Sequence, residues 1–223
     1  MASEILTIHS ETPEIRKIKI VAEALHNGAV TLYPTDTGFT LGCELSNKNA
    51  ISKLRSIRRL PQSKSLTFLC DSLANISEFA KVSNKAYKTI KGLIPGPFTF
   101  ILPASKQVPK FAQNPKRKTA GIRVPDNDLS ILLLKHLGEP IISISARIEN
   151  EEIIEDPENL VEFFAPKVDL AVRLDDYNFL GESTVIDMTT DEFTISRHGA
   201  GIGKVLEFVD YEEIREPDKD KKQ

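Results

Sequence analysis

Tryptophan is absent from this 223-residue chain, and cysteine occurs only twice. Cys43 and Cys70 form no CxxC pair, which argues against a disulfide framework or a cysteine-rich zinc site. Two thiols without a secretory-type N-terminal segment lead to the expectation of a reducing, cytoplasmic compartment. No apolar run approaches the ~20 residues that span a bilayer. The longest, such as Ile131-Leu132-Leu133-Leu134, are core-sized, so no membrane association is expected. Standard catalytic signatures are missing too. The chain has no Walker-type phosphate loop, no GxGxxG after a strand and no GxSxG. His9, His26, His136 and His198 are scattered without HExxH spacing, and no metal site is read from them.

What is present suits one soluble domain. Hydrophobic residues make up 40% and charged residues 27% of the chain. A chain of this length buries roughly two thirds or more of its unfolded surface. One domain over residues 1–209 is expected, followed by a charged, flexible tail over 210–223.

The periodicity predicts a helix over 13–26, with Thr12 as N-cap, Pro13 at N1, Ile15, Ile18, Ala22 and Leu25 on one face, and Gly28 as the stop. A buried strand over 29–33 is expected to end at Pro34, and Thr35-Asp36-Thr37-Gly38 to turn into a strand over 39–43. Asn47 should cap a helix carrying Ala50, Ile51 and Leu54. Further strands are expected over 65–70, 98–102, 121–124, 141–145, 168–174, 184–188 and 193–197. Further helices are expected over 73–80, 85–93, from Asp126 or Asn127 to Leu137, and over 159–164. Helices and strands mix without strict alternation. The fold class is therefore α/β or α+β, with a twisted sheet containing parallel and antiparallel pairs.

Net charge is −3, from 29 basic and 32 acidic residues. The sum hides a segregation. Ser46–Cys70 holds six basic residues and no acid (Lys48, Lys53, Arg55, Arg58, Arg59, Lys64). Thr99–Pro125 again holds six and no acid (Lys106, Lys110, Lys116, Arg117, Lys118, Arg123). The other 17 basic residues face all 32 acidic ones, a net of −15. Such segregation can build a positive surface on an acidic protein, and arginine forks match phosphate oxygens. Hydroxyls also recur at strand ends. Thr35 follows a buried strand, Ser143 and Ser145 share a strand face by alternation, and Ser183 opens a strand. Arg123 and Arg197 are embedded in strand-like sequence, and a buried arginine needs an anion, either a protein carboxylate or a ligand phosphate.

These residues resemble a known family. Leu32 to Gly38 with Leu41-Gly42-Cys43 is similar to the YPTDT-x-x-LGC segment of the Sua5/YrdC/YciO proteins. Pro95-Gly96-Pro97-Phe98-Thr99, Gly121-Ile122-Arg123-Val124-Pro125, Pro140 to Ala146, and Ser183 to Asp187 with Arg197 to Gly201 resemble four more family segments, in the same order. The resemblance implies a twisted α/β sheet with a basic concave face. It also implies threonylcarbamoyl-AMP synthase chemistry, in which L-threonine, bicarbonate and ATP give threonylcarbamoyl-adenylate and pyrophosphate for the t6A modification of tRNA. It implies Mg²⁺ on the nucleotide phosphates, and binding of tRNA or double-stranded RNA on the same face. Thr35, Ser143 and Ser183 would then face threonine. Arg123 would hold an anionic group, Ser145 would contact ATP, and Arg197 and Lys64 would lie near the phosphates. The synthases' Lys-x-Arg reads Arg58-Arg59-Leu60 here, so Arg58 stands for Lys and Leu60 for Arg. Their Ser-x-Asn reads Ser145-Ala146-Arg147. With Thr7-Ile8-His9-Ser10 at the start and Lys116-Arg117-Lys118-Thr119 before the strand of Arg123, these differences resemble the YciO subgroup. The alternative expectation is an RNA-binding protein that keeps the face without the chemistry.

Overall fold

The computed structural model describes residues 4–62, 64, 66–147 and 156–208. The expected tail over 210–223, and most of the acidic stretch from Glu149, lie outside them. One ten-stranded sheet runs through the molecule. In chain order its strands are β1 (Glu4–Ile8), β2 (Thr31–Thr35), β3 (Gly38–Glu44), β4 (Thr67–Leu69), β5 (Phe98–Pro103), β6 (Thr119–Arg123), β7 (Ile141–Ser145), β8 (Leu170–Leu174), β9 (Thr184–Asp187) and β10 (Thr194–Arg197). Their spatial order is β1-β8-β2-β3-β7-β4-β6-β5-β9-β10. The pairs β1/β8, β2/β8, β4/β6 and β5/β9 are parallel, and the rest antiparallel. The mixed sheet read from the sequence is therefore present.

The helices are α1 (Ile15–His26), α2 (Lys48–Ile57), α3 (Leu73–Phe79), α4 (Asn84–Leu93), α5 (Asp128–Leu137), α6 (Pro157–Phe164) and α7 (Ile202–Phe208). Asn47 and Asn127 cap α2 and α5, each side chain accepting from an N–H three residues on. Gly138 closes α5 in the left-handed conformation, at φ 74°.

The larger core packs Leu41, Phe68, Phe100, Ile122 and Ile142 on one sheet face against Leu54, Ile76, Ile90, Val161 and Val205 from the helices. A smaller core lies on the other face. There α1 and α5 press Ile18, Leu25, Leu129 and Leu133 onto Tyr33, Leu69, Ile141 and Val172. These two helices cover only part of that face, and the rest forms the site described below.

Several expectations need correction. Thr12 does not cap α1, which starts at Ile15 after Glu14. The Glu14 carboxylate instead accepts the His9 N–H and pairs with Lys17, and the Lys17 bond holds its pKa down at about 2. Ile15 is exposed, and Val21 takes its place on the buried face. Pro34 does not end β2 but lies within it, opposite Phe39. Strand β8 pairs with β2 only at Thr31 and Leu32. On that side Pro34 therefore needs no donor. Of the strand expected over 65–70, residue 65 lies outside the described residues and Thr67–Leu69 forms the strand. β1 and α7 had no counterpart in the sequence reading.

Candidate functional site on the open sheet face

Side chains paired across strands point to the same side of a sheet, so register alone assembles this site. One row runs Thr31, Gly42, Ser143, Thr67, Gly121, Ile101, Asp187 across seven strands. A second joins Tyr33, Thr40 and Ser145. A third joins Thr99, Val185 and Arg197. Thr67, Ile101, Ser143, Val185 and Asp187 stay partly exposed and Ser145 is exposed, which marks the open part of the face. The hydroxyls are paired among themselves. Thr40 Oγ1 lies 2.8 Å from Ser143 Oγ, and Thr99 Oγ1 lies 2.8 Å from Ser183 Oγ. Gly121 lets the row close up, because a Cβ there would sit 2.8 Å from Thr67 Oγ1.

At one end stands the β2–β3 turn. Thr35 Oγ1 donates to the Gly38 carbonyl (2.9 Å), and the Thr37 N–H donates to Thr35 Oγ1 (3.2 Å). Arg123 reaches this turn from β6. Its guanidinium donates to Asp36 Oδ1, to Thr37 Oγ1 and, at 3.3 Å, to the Gly96 carbonyl. The side chains of Arg123 and Asp36 are 6% and 4% exposed. Burial pulls the Arg123 pKa below its ordinary value, while the Asp36 carboxylate opposes that shift. Of the two partners the sequence left open for a buried Arg123, the structure supplies the protein carboxylate. Asp36 Oδ2 is buried without a hydrogen-bond partner.

At the other end, Arg197 donates from Nε to the Ser183 carbonyl and from Nη2 to Ser183 Oγ, both at 2.9 Å. Its Nη1 lies 3.6 Å from Glu182, and Arg147 pairs with the same carboxylate. Burial lowers the pKa of Arg147 and of Arg197, and Arg197 repels Arg147 further. Asp187 is pushed up by burial, but the Thr189 hydroxyl and Arg117 outweigh this and hold it below the usual carboxylate range.

Arg58 occupies the C-cap of α2 and is buried. Its Nε donates to the Ser145 carbonyl at 2.9 Å, and Nη1 donates to the Arg147 carbonyl. Arg58 thus ties the end of β7 to α2. Lys64 is exposed, with its carbonyl accepting from Arg55 at 2.9 Å. Thr35, Arg123, Ser143, Ser145, Ser183 and Arg197 belong to this one face or its rim, Arg58 braces it from the α2 side, and Lys64 lies on the α2–β4 connection.

The basic windows disperse. Lys53 pairs with Asp169, Arg117 with Asp187 and Arg123 with Asp36, while Arg55 donates to backbone carbonyls. The sequence reading missed Asp36, Thr40, Thr67, Thr99 and Glu182 as parts of the site. The two-residue spacing of Thr40 and Gly42, and of Thr67 and Leu69, was the available signal. Elsewhere, the hollow between Lys81 and Asp191 holds no convergent charge, and Ser83 there already donates to Asp191 at 2.6 Å. Among the described residues no group of three or more His, Cys, Asp or Glu is placed to hold a metal ion. No helix among them is long and apolar enough to cross a membrane.

A ten-stranded mixed sheet flanked by helices, with paired hydroxyls and Arg197 on the open part of one face, defines an α/β class of protein. The chain belongs to the Sua5/YciO/YrdC family, whose model, described as "Telomere recombination", matches residues 23–199. It is 41% identical over 203 residues to an uncharacterized protein of Haemophilus influenzae, covering 89% of this chain and 97% of that protein. The crystal structure of E. coli YciO superposes with a TM-score of 0.84 at 37% identity, covering 91% of this chain and 98% of that one. P. abyssi Sua5, crystallised with L-threonine, superposes with a TM-score of 0.87 at 26% identity over 96% of this chain and 63% of that longer one. A threonylcarbamoyl-AMP synthase of Hydrogenovibrio crunogenus is 32% identical over 139 residues, which is 60% of this chain and 74% of the synthase. The chain is thus related both to YciO proteins and, more distantly, to threonylcarbamoyl-AMP synthases.

Proposed function

We propose that the open face is a threonylcarbamoyl-AMP synthase-type site that takes L-threonine, bicarbonate and ATP. The observation that carries this reading is the register. It puts Thr40, Thr67, Thr99, Ser143, Ser145 and Arg197 on one partly open face, with Thr35 and Arg123 at one end. The likeness to a Sua5 crystallised with L-threonine and to named synthases supports the substrate class.

The threonine nitrogen would bond the bicarbonate carbon with loss of water. A carbamate oxygen would then displace pyrophosphate from the α-phosphorus of ATP. The chain needs no covalent nucleophile for this. Its contribution is positioning and charge stabilisation. Thr35 and Ser143 orient the amino acid at the β2–β3 end, with Ser183 on its far side. Ser145, Arg197 and Lys64 meet the nucleotide and its phosphates, and Arg123, held by Asp36 and Thr37, fixes the turn that presents Thr35. Among the described residues no three-ligand metal cluster is present, and Mg²⁺ bound with the nucleotide would add charge stabilisation at its phosphates.

The test is incubation with all three substrates, followed by detection of threonylcarbamoyl-adenylate and pyrophosphate. Both products are expected, and Arg197→Ala should lower their formation about 100-fold, as the loss of a charged transition-state contact does. No product at high protein concentration would sink the reading. Recognition of tRNA or double-stranded RNA has thinner support, because five of the twelve window cations are already engaged within the protein.

A further inference from the structure

Arg147 stands where the resemblance leads one to expect asparagine, and its surroundings give it a role. Its guanidinium and that of Arg197 converge on one carboxylate, Glu182. Three of these groups' backbone or side-chain positions are fixed from outside the trio. The Arg147 carbonyl accepts from Arg58, Arg197 is spent on Ser183 through Nε and Nη2, and the Glu182 carbonyl accepts the Ala200 N–H at 2.6 Å. Gly181, at φ 88° with nothing within 4 Å of where a Cβ would stand, turns the chain just before Glu182. The side chains of Arg147, Glu182 and Arg197 are 52%, 38% and 39% exposed, although the Glu182 oxygen that faces Arg147 is itself covered. An ion pair so exposed is weak, and a stronger anion can replace its carboxylate. Two guanidinium groups facing one carboxylate leave an excess positive charge beside the Thr99–Ser183 hydroxyl pair.

We propose that Arg147 and Arg197 form a two-arginine clamp for the polyphosphate of the nucleotide, and that Glu182 is a built-in occupant which the phosphates must displace. The ligand class rests on the function proposed above. The clamp supplies on the β7 side a guanidinium that Leu60 does not provide on the α2 side. It also makes Glu182 a determinant of affinity, since its charge competes with the ligand for both arginines.

Inorganic pyrophosphate, titrated calorimetrically into the full chain, tests this without threonine, bicarbonate or turnover. Glu182→Gln keeps the size of the side chain but removes the competing charge, and should bind pyrophosphate about tenfold tighter than wild type. Arg147→Ala should bind it about tenfold more weakly. Arg147→Lys should fall between, because an ammonium is a point charge without the planar fork. Unchanged affinity in Glu182→Gln, unchanged affinity in Arg147→Ala, or no binding to either wild type or Glu182→Gln at millimolar pyrophosphate would overturn the clamp. The two readings fail separately. A chain that makes no adenylate can still show this pattern, and a chain that makes it without a Glu182 effect has no such gate.

Discussion

Asp36→Ala is expected to cost about 3–5 kcal/mol of folding stability, because it leaves the Arg123 guanidinium buried without its carboxylate. Domains are held by only about 5–15 kcal/mol, so this is about a fifth or more of a typical total. Arg123 stays charged in the variant, since its intrinsic pKa is too high for a proton to leave cheaply. The remaining contacts, to Thr37 Oγ1 and the Gly96 carbonyl, are neutral acceptors and do not replace a carboxylate. The companion variant separates charge from shape. Asp36→Ala combined with Arg123→Met removes both charges and should recover most of the loss, since apolar replacement of a buried pair is often near neutral. Urea unfolding of the three proteins decides the matter. A single-variant loss under about 1 kcal/mol would mean that water reaches the pair and the turn is not sealed.

Gly199→Ala should be nearly as damaging, for a steric reason. A Cβ at 199 would lie 2.3 Å from the Glu182 carbonyl oxygen and 2.6 Å from the Ser183 carbonyl, all of it backbone that cannot rotate away. Ser183 bridges Ala200 in this stretch, and the Thr184 hydroxyl donates to the Ala200 carbonyl at 2.9 Å. Forcing the strands apart also pulls Ser183 from Arg197. A cost on the order of 3 kcal/mol is expected from such overpacking, or about 6–12 °C in melting temperature for a chain of this size. Gly203→Ala is the control, because nothing lies within 4 Å of a Cβ there and its effect should be small. Equal melting temperatures for Gly199→Ala and wild type would show that the two segments do not approach so closely.

The sequence carried much of this architecture because its strands obey a two-residue period and its helices carry caps. Ser143 and Ser145 were placed on one face by alternation, and the register confirms that they share it. Asn47 and Gly138 read correctly as caps because their chemistry is local, and of Asp126 and Asn127 the structure selects Asn127. β1 was missed because it is an edge strand, mostly exposed, whose partner β8 lies more than 150 residues away. α7 was missed because it is short and buries only Val205. Pro34 misled for a related reason. Whether a proline can sit inside a strand depends on where a neighbouring strand stops, and no local pattern shows that.

The site was legible in part. Thr35, Arg123, Ser183 and Arg197 stood out through their motifs. Asp36 as the partner of Arg123, and Glu182 as the carboxylate shared by Arg147 and Arg197, are long-range pairings that only the fold reveals. The charge windows overstated the positive surface, because Lys53, Arg55, Arg58, Arg117 and Arg123 are engaged within the protein.

On the proposed function, the open sheet face between the Thr35 turn and Arg197 holds an amino acid and a nucleotide together. A crystal structure of the full chain with L-threonine and a non-hydrolysable ATP analogue tests it most directly. The amino acid is expected beside Thr35 and Ser143, and the phosphates beside Ser145, Arg147 and Arg197 with Glu182 displaced. Ligand density elsewhere on the protein, with this face empty, would contradict it.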